Sequence, residues 1–167
     1  MRRAALMLST TVLVALAFAP TVNAGKPTTE TIRLPPDFVV SASVCGFPIL
    51  VHSEGQDGTV TTLTDEDGNV VRQILIFPGN RQSFTNLVTG ESIGVPTNGP
   101  GFWQFNPDGS SSLTGTGPWA WGSNPVTGEP GIFWTTGRFV ANFDSAGNQS
   151  SIDLTGRIVD LCAEIAP

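Results

Sequence analysis

Five turn-like segments, each containing a glycine, recur along this chain and limit its fold more than any other feature. Their glycines stand at 68, 90, 109, 128 and 147. Three segments (65–69, 106–110 and 144–148) open with Asp or Asn and carry Gly fourth, and the other two read Asn-Leu-Val-Thr-Gly-Glu and Asn-Pro-Val-Thr-Gly-Glu. Such sequences suit a type I turn followed by a left-handed glycine, which joins adjacent antiparallel strands. The series therefore predicts an antiparallel meander of hairpins.

Between the turns, apolar residues alternate with polar ones and show no helical period, which is typical of strands. Because some candidate strands should merge, we expect eight to ten. The candidates are 38–45, 48–53, 59–65, 70–77, 82–87, 91–95, 102–106, 111–121, 132–143 and 150–162. A flat sheet of that many strands would expose its edges, whereas closure removes them. The sequence predicts one all-β domain over residues 37–167, folded as a closed or nearly closed barrel, with an extended arm over 25–36.

The last hairpin is specific enough to predict a register. A turn centred on Ala146-Gly147 sets Gly137 opposite Gly156 and Ala141 opposite Ile152. One face of the hairpin is then apolar and the other polar, as a sheet with one buried face requires. Glycines inside the strands, among them Gly115 and Gly117, are expected where a coiled strand bends.

The first 24 residues read as a secretory signal peptide. Arg2 and Arg3 precede an apolar run over 4–19, and the small residues at 22–24 suit cleavage after Ala24. The run is shorter than the ~20 residues that a spanning helix needs. We expect a secreted protein, extracellular or in the cell envelope, with no membrane span after cleavage.

Charge and cysteine content agree with export. The net charge of −6 gives no basic surface for nucleic acid, so no nucleic-acid partner is expected. The two cysteines, Cys45 and Cys162, form an even pair in an oxidising compartment, which predicts a disulfide.

Catalytic and metal-binding patterns are weak. His52 is the single histidine, no partner acid is identifiable near it in sequence, and no Gly-x-Ser-x-Gly elbow is present. The acidic segment 65–69 carries Gly fourth rather than sixth, so a hairpin turn explains it better than an EF-hand. We expect no metal and no cofactor.

Large aromatic residues concentrate in one stretch of the chain. They are Phe102, Trp103, Phe105, Trp119, Trp121, Phe133 and Trp134. One interpretation is that they fill a barrel interior, and the other is that they line a ligand site. Trp103, Trp119, Trp121 and Phe133 are the candidate ligand-binding residues.

Three segments carry a resemblance to known proteins. Residues 44–52, 67–72 and 155–162 resemble those of small exported proteins of actinobacteria. This resemblance implies an extracellular or cell-envelope protein and brings no activity with it. At the level of the fold alone, the meander is similar to the barrels of lipocalins and of the allene oxide cyclase and dirigent group.

Three functions remain open at this point. The first is a binding module for an apolar or aromatic small ligand, which the tryptophans and the lack of a catalytic set favour. The second is a structural or interaction protein of the cell envelope with a filled core. The third is a barrel enzyme of cyclase or isomerase type with His52, Arg138 or Asp153 in a polar lumen. The sequence does not set the oligomeric state.

Overall fold

A computed structural model describes residues 25–167 of the chain. The predicted signal peptide lies outside the described residues. The described chain forms antiparallel strands and two short helices, which confirms the all-β class. The strands are β1 (Thr28–Arg33), β2 (Asp37–Val40), β3 (Ile49–Glu54), β4 (Asp57–Thr64), β5 (Val70–Ile76), β6 (Arg81–Asn86), β7 (Ser92–Pro96), β8 (Gly101–Phe105), β9 (Ser111–Thr116), β10 (Trp119–Ser123), β11 (Pro130–Phe143) and β12 (Gln149–Asp160). The helices are α1 (Ala42–Cys45) and α2 (Leu161–Glu164).

The strands divide between two open sheets. An eight-stranded large sheet runs β1-β4-β5-β8-β9-β11, with β10 and β12 also paired to β11, and a small sheet runs β2-β3-β6-β7. The predicted closure into a barrel is not confirmed, because neither sheet closes on itself within residues 25–167. The chain crosses between sheets after β1, β3, β5 and β7, so that one sheet covers the other and the apolar faces are buried without closure.

Residues 25–167 form twelve strands rather than the expected eight to ten, and four segments differ from the predicted elements. The arm contributes β1, which pairs with β4 and sets Thr29 opposite Thr61. The predicted strand 111–121 is interrupted at Gly117 and Pro118, because Gly117 has a left-handed backbone conformation with φ of 80° and proline has no N–H to donate. The predicted strands 38–45 and 150–162 each end in a helical turn, α1 and α2.

The register of the last hairpin is confirmed. Gly137 lies opposite Gly156, and Ala141 lies opposite Ile152. The strands bend strongly there, and the turn between β10 and β11 folds back until Gln149 Nε2 donates to the carbonyl of Pro125 at 2.8 Å. The large sheet therefore has a concave face, and the turn between β10 and β11 partly covers it.

The core consists of two clusters that share one strand. The inter-sheet cluster lies between the sheets, and its buried residues are Phe47, Ile49, Val51, Phe84, Val95, Ile132, Leu161 and Ile165. The concave cluster lies on the concave face around Leu113, Phe139 and Ala141. Strand β11 contributes Ile132 to the first cluster and Phe139 to the second, so the two clusters are linked through its backbone.

The predicted disulfide is formed. Cys45 of α1 and Cys162 of α2 are bonded, with their Cα atoms 5.4 Å apart. Both residues pack against the inter-sheet cluster. The bond therefore ties the connection between β2 and β3 of the small sheet to the segment that follows β12 of the large sheet.

Candidate binding groove

Two adjoining cavities lie between the small sheet and β10, and together we call them the inter-sheet groove. They have volumes of about 200 Å³ and 160 Å³ and share Gln82 and Ala120 in their walls. The larger cavity is also lined by Phe38, Val40, Val51, Phe84, Trp121, Gly122 and Ile132. The smaller one is also lined by Leu34, Phe77, Asn80, Thr97 and Trp119. The groove is thus mainly apolar, with its amide and hydroxyl groups concentrated at the smaller cavity.

Strand alternation explains why these side chains meet. Phe38, Val51 and Phe84 lie directly opposite one another on β2, β3 and β6, so all three point to the same face of the small sheet. β10 faces them with Ala120, whose small side chain leaves the space unfilled. β2 is an edge strand, and Phe38 is 43% exposed. The groove therefore opens to solvent beside Phe38.

The polar groups of the groove are held by hydrogen bonds. Thr97 Oγ1 donates to Asn80 Oδ1 at 2.6 Å, and Asn80 is buried. Gln82 Nε2 donates to Ser53 Oγ at 3.3 Å. These contacts fix the amides, so that they can orient a ligand whose remaining surface is apolar.

Two of the four aromatic residues predicted to bind a ligand line this groove. Trp121 borders the larger cavity and Trp119 the smaller one. Both rings also pack edge-on against Phe139, with centroid distances of 5.3 Å for Trp119 and 4.8 Å for Trp121. Trp121 Nε1 donates to Thr135 Oγ1 at 2.9 Å, which fixes its ring. Trp119 and Trp121 therefore belong to the concave cluster and also form part of the groove wall.

The other two candidates lie elsewhere. Trp103 stacks on Phe143 at 5.5 Å and on Phe105 at 5.9 Å, within the concave cluster. Phe133 is only 6% exposed and borders neither cavity of the groove. Both residues pack in the protein interior.

Sequence reasoning missed Phe38, Val51 and Phe84 as groove residues. In sequence they are ordinary alternating strand residues, and nothing distinguishes them from core. The available signal was Phe38 itself, an aromatic residue in a short strand directly after Pro35-Pro36, where an edge strand is expected.

His52 has a partner acid that the sequence analysis did not identify. Its Nδ1 lies 2.7 Å from Oδ1 of Asp37, which is directly opposite on β2. Ser83 lies opposite His52 on the other side, in β6. Asp37, His52 and Ser83 form a row across the solvent-exposed face of the small sheet. The side chains of His52 and Asp37 are both about half exposed. Only the link between Asp37 and His52 is made among the hydrogen bonds of residues 25–167, so the row is not an assembled nucleophilic relay.

The structure does not gather the residues of the enzyme hypothesis into one lumen. His52 belongs to the small sheet, whereas Arg138 of β11 and Asp153 of β12 belong to the large sheet. Arg138 and Asp153 are both exposed, as predicted for the polar face of the last hairpin.

The acidic segments form hairpin turns, as their sequences predict. Hydrogen bonds lower the pKa of three turn aspartates, mainly from the Asn69 side chain to Asp65, from the Ser110 side chain to Asp108, and from the Asn148 backbone N–H to Asp144. No group of three or more metal-ligating side chains occurs within residues 25–167. The carboxylates of these turns thus bind their own backbone and neighbouring side chains.

The architecture defines a class of protein: a disulfide-linked, two-sheet antiparallel β domain with an apolar groove between its sheets. Comparisons with protein-family models, with curated proteins and with solved structures found no match for this chain. Neither helix in the described part of the chain is long and apolar enough to cross a bilayer.

Proposed function

We propose that this protein is an exported binding module that holds a small apolar or aromatic ligand in the inter-sheet groove. The observation that carries this proposal is the groove wall itself. Apolar side chains from both sheets face one space that opens beside Phe38, and amides line its smaller cavity. Most small-molecule sites have this composition.

The size of the groove narrows the ligand class. Ligand pockets commonly measure about 300–1,000 Å³. Either cavity alone falls below that range, and the two together reach its lower end. A ligand of one or two rings, or a short acyl chain, therefore fits. Its binding would draw on burial of apolar area, which is worth roughly 25 cal/mol per Å² before the costs of association.

Electrostatics favours an uncharged ligand, because no Asp or Glu lines the inter-sheet groove to pair with a cation. The chain carries a net charge of −6, and no Lys or Arg lines the inter-sheet groove. An anion would therefore leave water without a compensating charge, which is unfavourable.

Export is part of the proposal, and two features support it. The N-terminal 24 residues have the composition of a signal peptide. The disulfide between Cys45 and Cys162 is typical of oxidising compartments.

The second candidate function is a structural or interaction protein of the cell envelope. The filled concave face favours it, because Trp119, Trp121 and Phe139 pack against one another there. In that case the groove would be a packing irregularity between two sheets and would bind nothing.

A ligand panel with matched variants separates these candidates. We would follow tryptophan fluorescence and melting temperature of the purified protein with neutral aromatic metabolites, acyl chains and sugars. A ligand at 100 times its dissociation constant should raise the free energy of unfolding by about 2.7 kcal/mol. Fluorescence should respond because Trp119 and Trp121 border the groove.

Two phenylalanines of similar exposure provide the control. Phe38→Ala removes the ring at the mouth of the groove and should weaken binding at least tenfold. Phe102→Ala removes a ring that is 42% exposed on β8, outside the groove, and should leave binding unchanged. Ala120→Leu fills the wall shared by both cavities and should also abolish binding. If no ligand in the panel gives a response, or if all variants bind equally well, the result would contradict ligand binding in the groove and favour the second candidate function.

A further inference from the structure

The large sheet ends in a long strand with one unpaired side. β12 extends over twelve residues and pairs with β11, and no other strand in residues 25–167 pairs with it. Its outer N–H and C=O groups form a template for another strand. Natural edge strands usually discourage such pairing with charges, so the placement of charge along β12 is informative.

The charges and apolar residues of β12 are arranged symmetrically about Thr155. Two positions before it stands Asp153, and two positions after it stands Arg157. Three positions away on either side are isoleucines, Ile152 and Ile158. A strand with this pattern is complementary to an antiparallel copy of itself.

We propose that two copies of this protein form a symmetric dimer by pairing their β12 strands antiparallel, with Thr155 of one copy opposite Thr155 of the other. Asp153 of each copy then lies opposite Arg157 of the second copy, which forms two cross-strand pairs of opposite charge. Ile152 lies opposite Ile158 of the second copy, and the large sheets join into one. The interface is isologous, as a two-fold axis requires.

Other registers lose this complementarity. An axis through Asp153 or through Arg157 sets like charges opposite each other. An axis through Leu154 or Gly156 sets both charges opposite uncharged residues. A slip by one residue sets the polar face of one strand beside the apolar face of the other. Among these registers, the one centred on Thr155 places opposite charges across from each other and keeps the polar faces of both strands on the same side.

The surroundings of β12 fit this partner. Asp153 and Arg157 are exposed, and the ion pairs formed within residues 25–167 are Arg33–Asp57 and Asp37–His52. Ile158 is 37% exposed although it is apolar. Leu154 would lie opposite Gly156 of the second copy, where the absence of a side chain leaves room. Dimer formation therefore provides partners for groups that lack them in one chain.

Single charge-reversal variants, together with a double variant that restores the charge pairs, test the proposed dimer. We would measure the mass of the purified protein by sedimentation equilibrium over a range of concentrations. Arg157→Asp sets Asp153 opposite a second aspartate and should weaken dimerisation at least tenfold, and Asp153→Arg should do the same with two arginines. The double variant D153R/R157D exchanges the charges, restores both pairs and should restore the dimer.

Arg72→Asp is the matched control, because it makes the same change of charge at an exposed residue of β5, which three strands of the large sheet separate from β12. It should leave the dimer intact. Melting temperatures of all variants should stay close together, because every substituted residue is exposed. A monomer at all concentrations, or a dimer indifferent to the single reversals, would overturn the proposal. Species that lengthen with concentration would overturn it too, since they would indicate head-to-tail pairing of β12 with β1.

Discussion

At the residue scale, the glycines within strands have two different structural causes. At Gly101 and Gly115, rings lie over the backbone: a Cβ on Gly101 would approach Trp119 Cη2 to 2.8 Å, and a Cβ on Gly115 would collide with the ring of Phe139. At Gly137 and Gly156, the backbone itself is unusual, with φ of 104° and 152°. The sequence predicts bends at glycines within strands, but at Gly115 the cause is instead the Phe139 ring.

The substitution Gly156→Ala should destabilise the protein by about 2 kcal/mol or more. A Cβ there would collide with the carbonyl oxygen of Thr136, and the backbone conformation is strained for any residue with a side chain. Urea unfolding monitored by tryptophan fluorescence measures the change. Gly94→Ala is the control: it lies in β7, has no positive φ, and its Cβ would meet nothing within 4 Å. Equal stabilities of the two variants would show that the bend at Gly156 is not under steric constraint.

At the element scale, two of the hairpin turns are fixed by the aspartate that opens them. Asp65 Oδ1 accepts hydrogen bonds from the backbone N–H groups of Asp67 and Asn69. Asp144 Oδ1 does the same with Ala146 and Asn148. These bonds favour the ionised carboxylate, which explains the direction of the pKa shifts.

The turn aspartates should make stability depend on pH in acid. Because their folded pKa lies below the ordinary value of 3.8, their stabilisation is present above that value and is lost as pH falls through the lower, folded pKa. Replacement of Asp65, Asp108 and Asp144 by Asn keeps an acceptor oxygen and removes the titration. The free energy of unfolding of this triple variant should vary less below pH 4 than that of the unmodified protein. Urea titrations between pH 2 and 7 measure both curves, and parallel curves would refute the assignment.

At the scale of the whole molecule, the disulfide links segments that are far apart in the chain. Its cysteines are separated by 117 positions, so it closes nearly all of the described chain into one loop. It also joins α1 and α2 beside the inter-sheet cluster, where the two sheets meet.

Replacing both Cys45 and Cys162 by Ala should lower the free energy of unfolding by about 4–5 kcal/mol, because a loop of this size restricts the unfolded chain strongly. Chemical denaturation of the two proteins gives the difference. A reducing agent should lower the stability of the unmodified protein to a similar extent and leave the double variant unchanged. A loss below about 1 kcal/mol would mean that the sheets are held together by packing alone.

The local features of this protein follow from the amino-acid sequence alone. The sequence predicted the all-β class, the hairpin turns, the pairing of Gly137 with Gly156 and the disulfide between Cys45 and Cys162. The first three depend on residues close together in the chain, where turn chemistry and alternation act directly. The disulfide was predictable because only two cysteines are present.

The division of the strands between two sheets depends on long-range packing and is seen only in the folded structure. The pairing of β5 with β8, the recruitment of the N-terminal arm as β1, the contact of Asp37 with His52 and the groove between Phe38 and Trp121 all join distant parts of the chain. Alternation shows that a strand has an apolar face, but it does not show which other face will cover it. That choice depends on the packing of whole sheets against each other, and it produced two open sheets and a groove where the sequence had suggested one closed barrel.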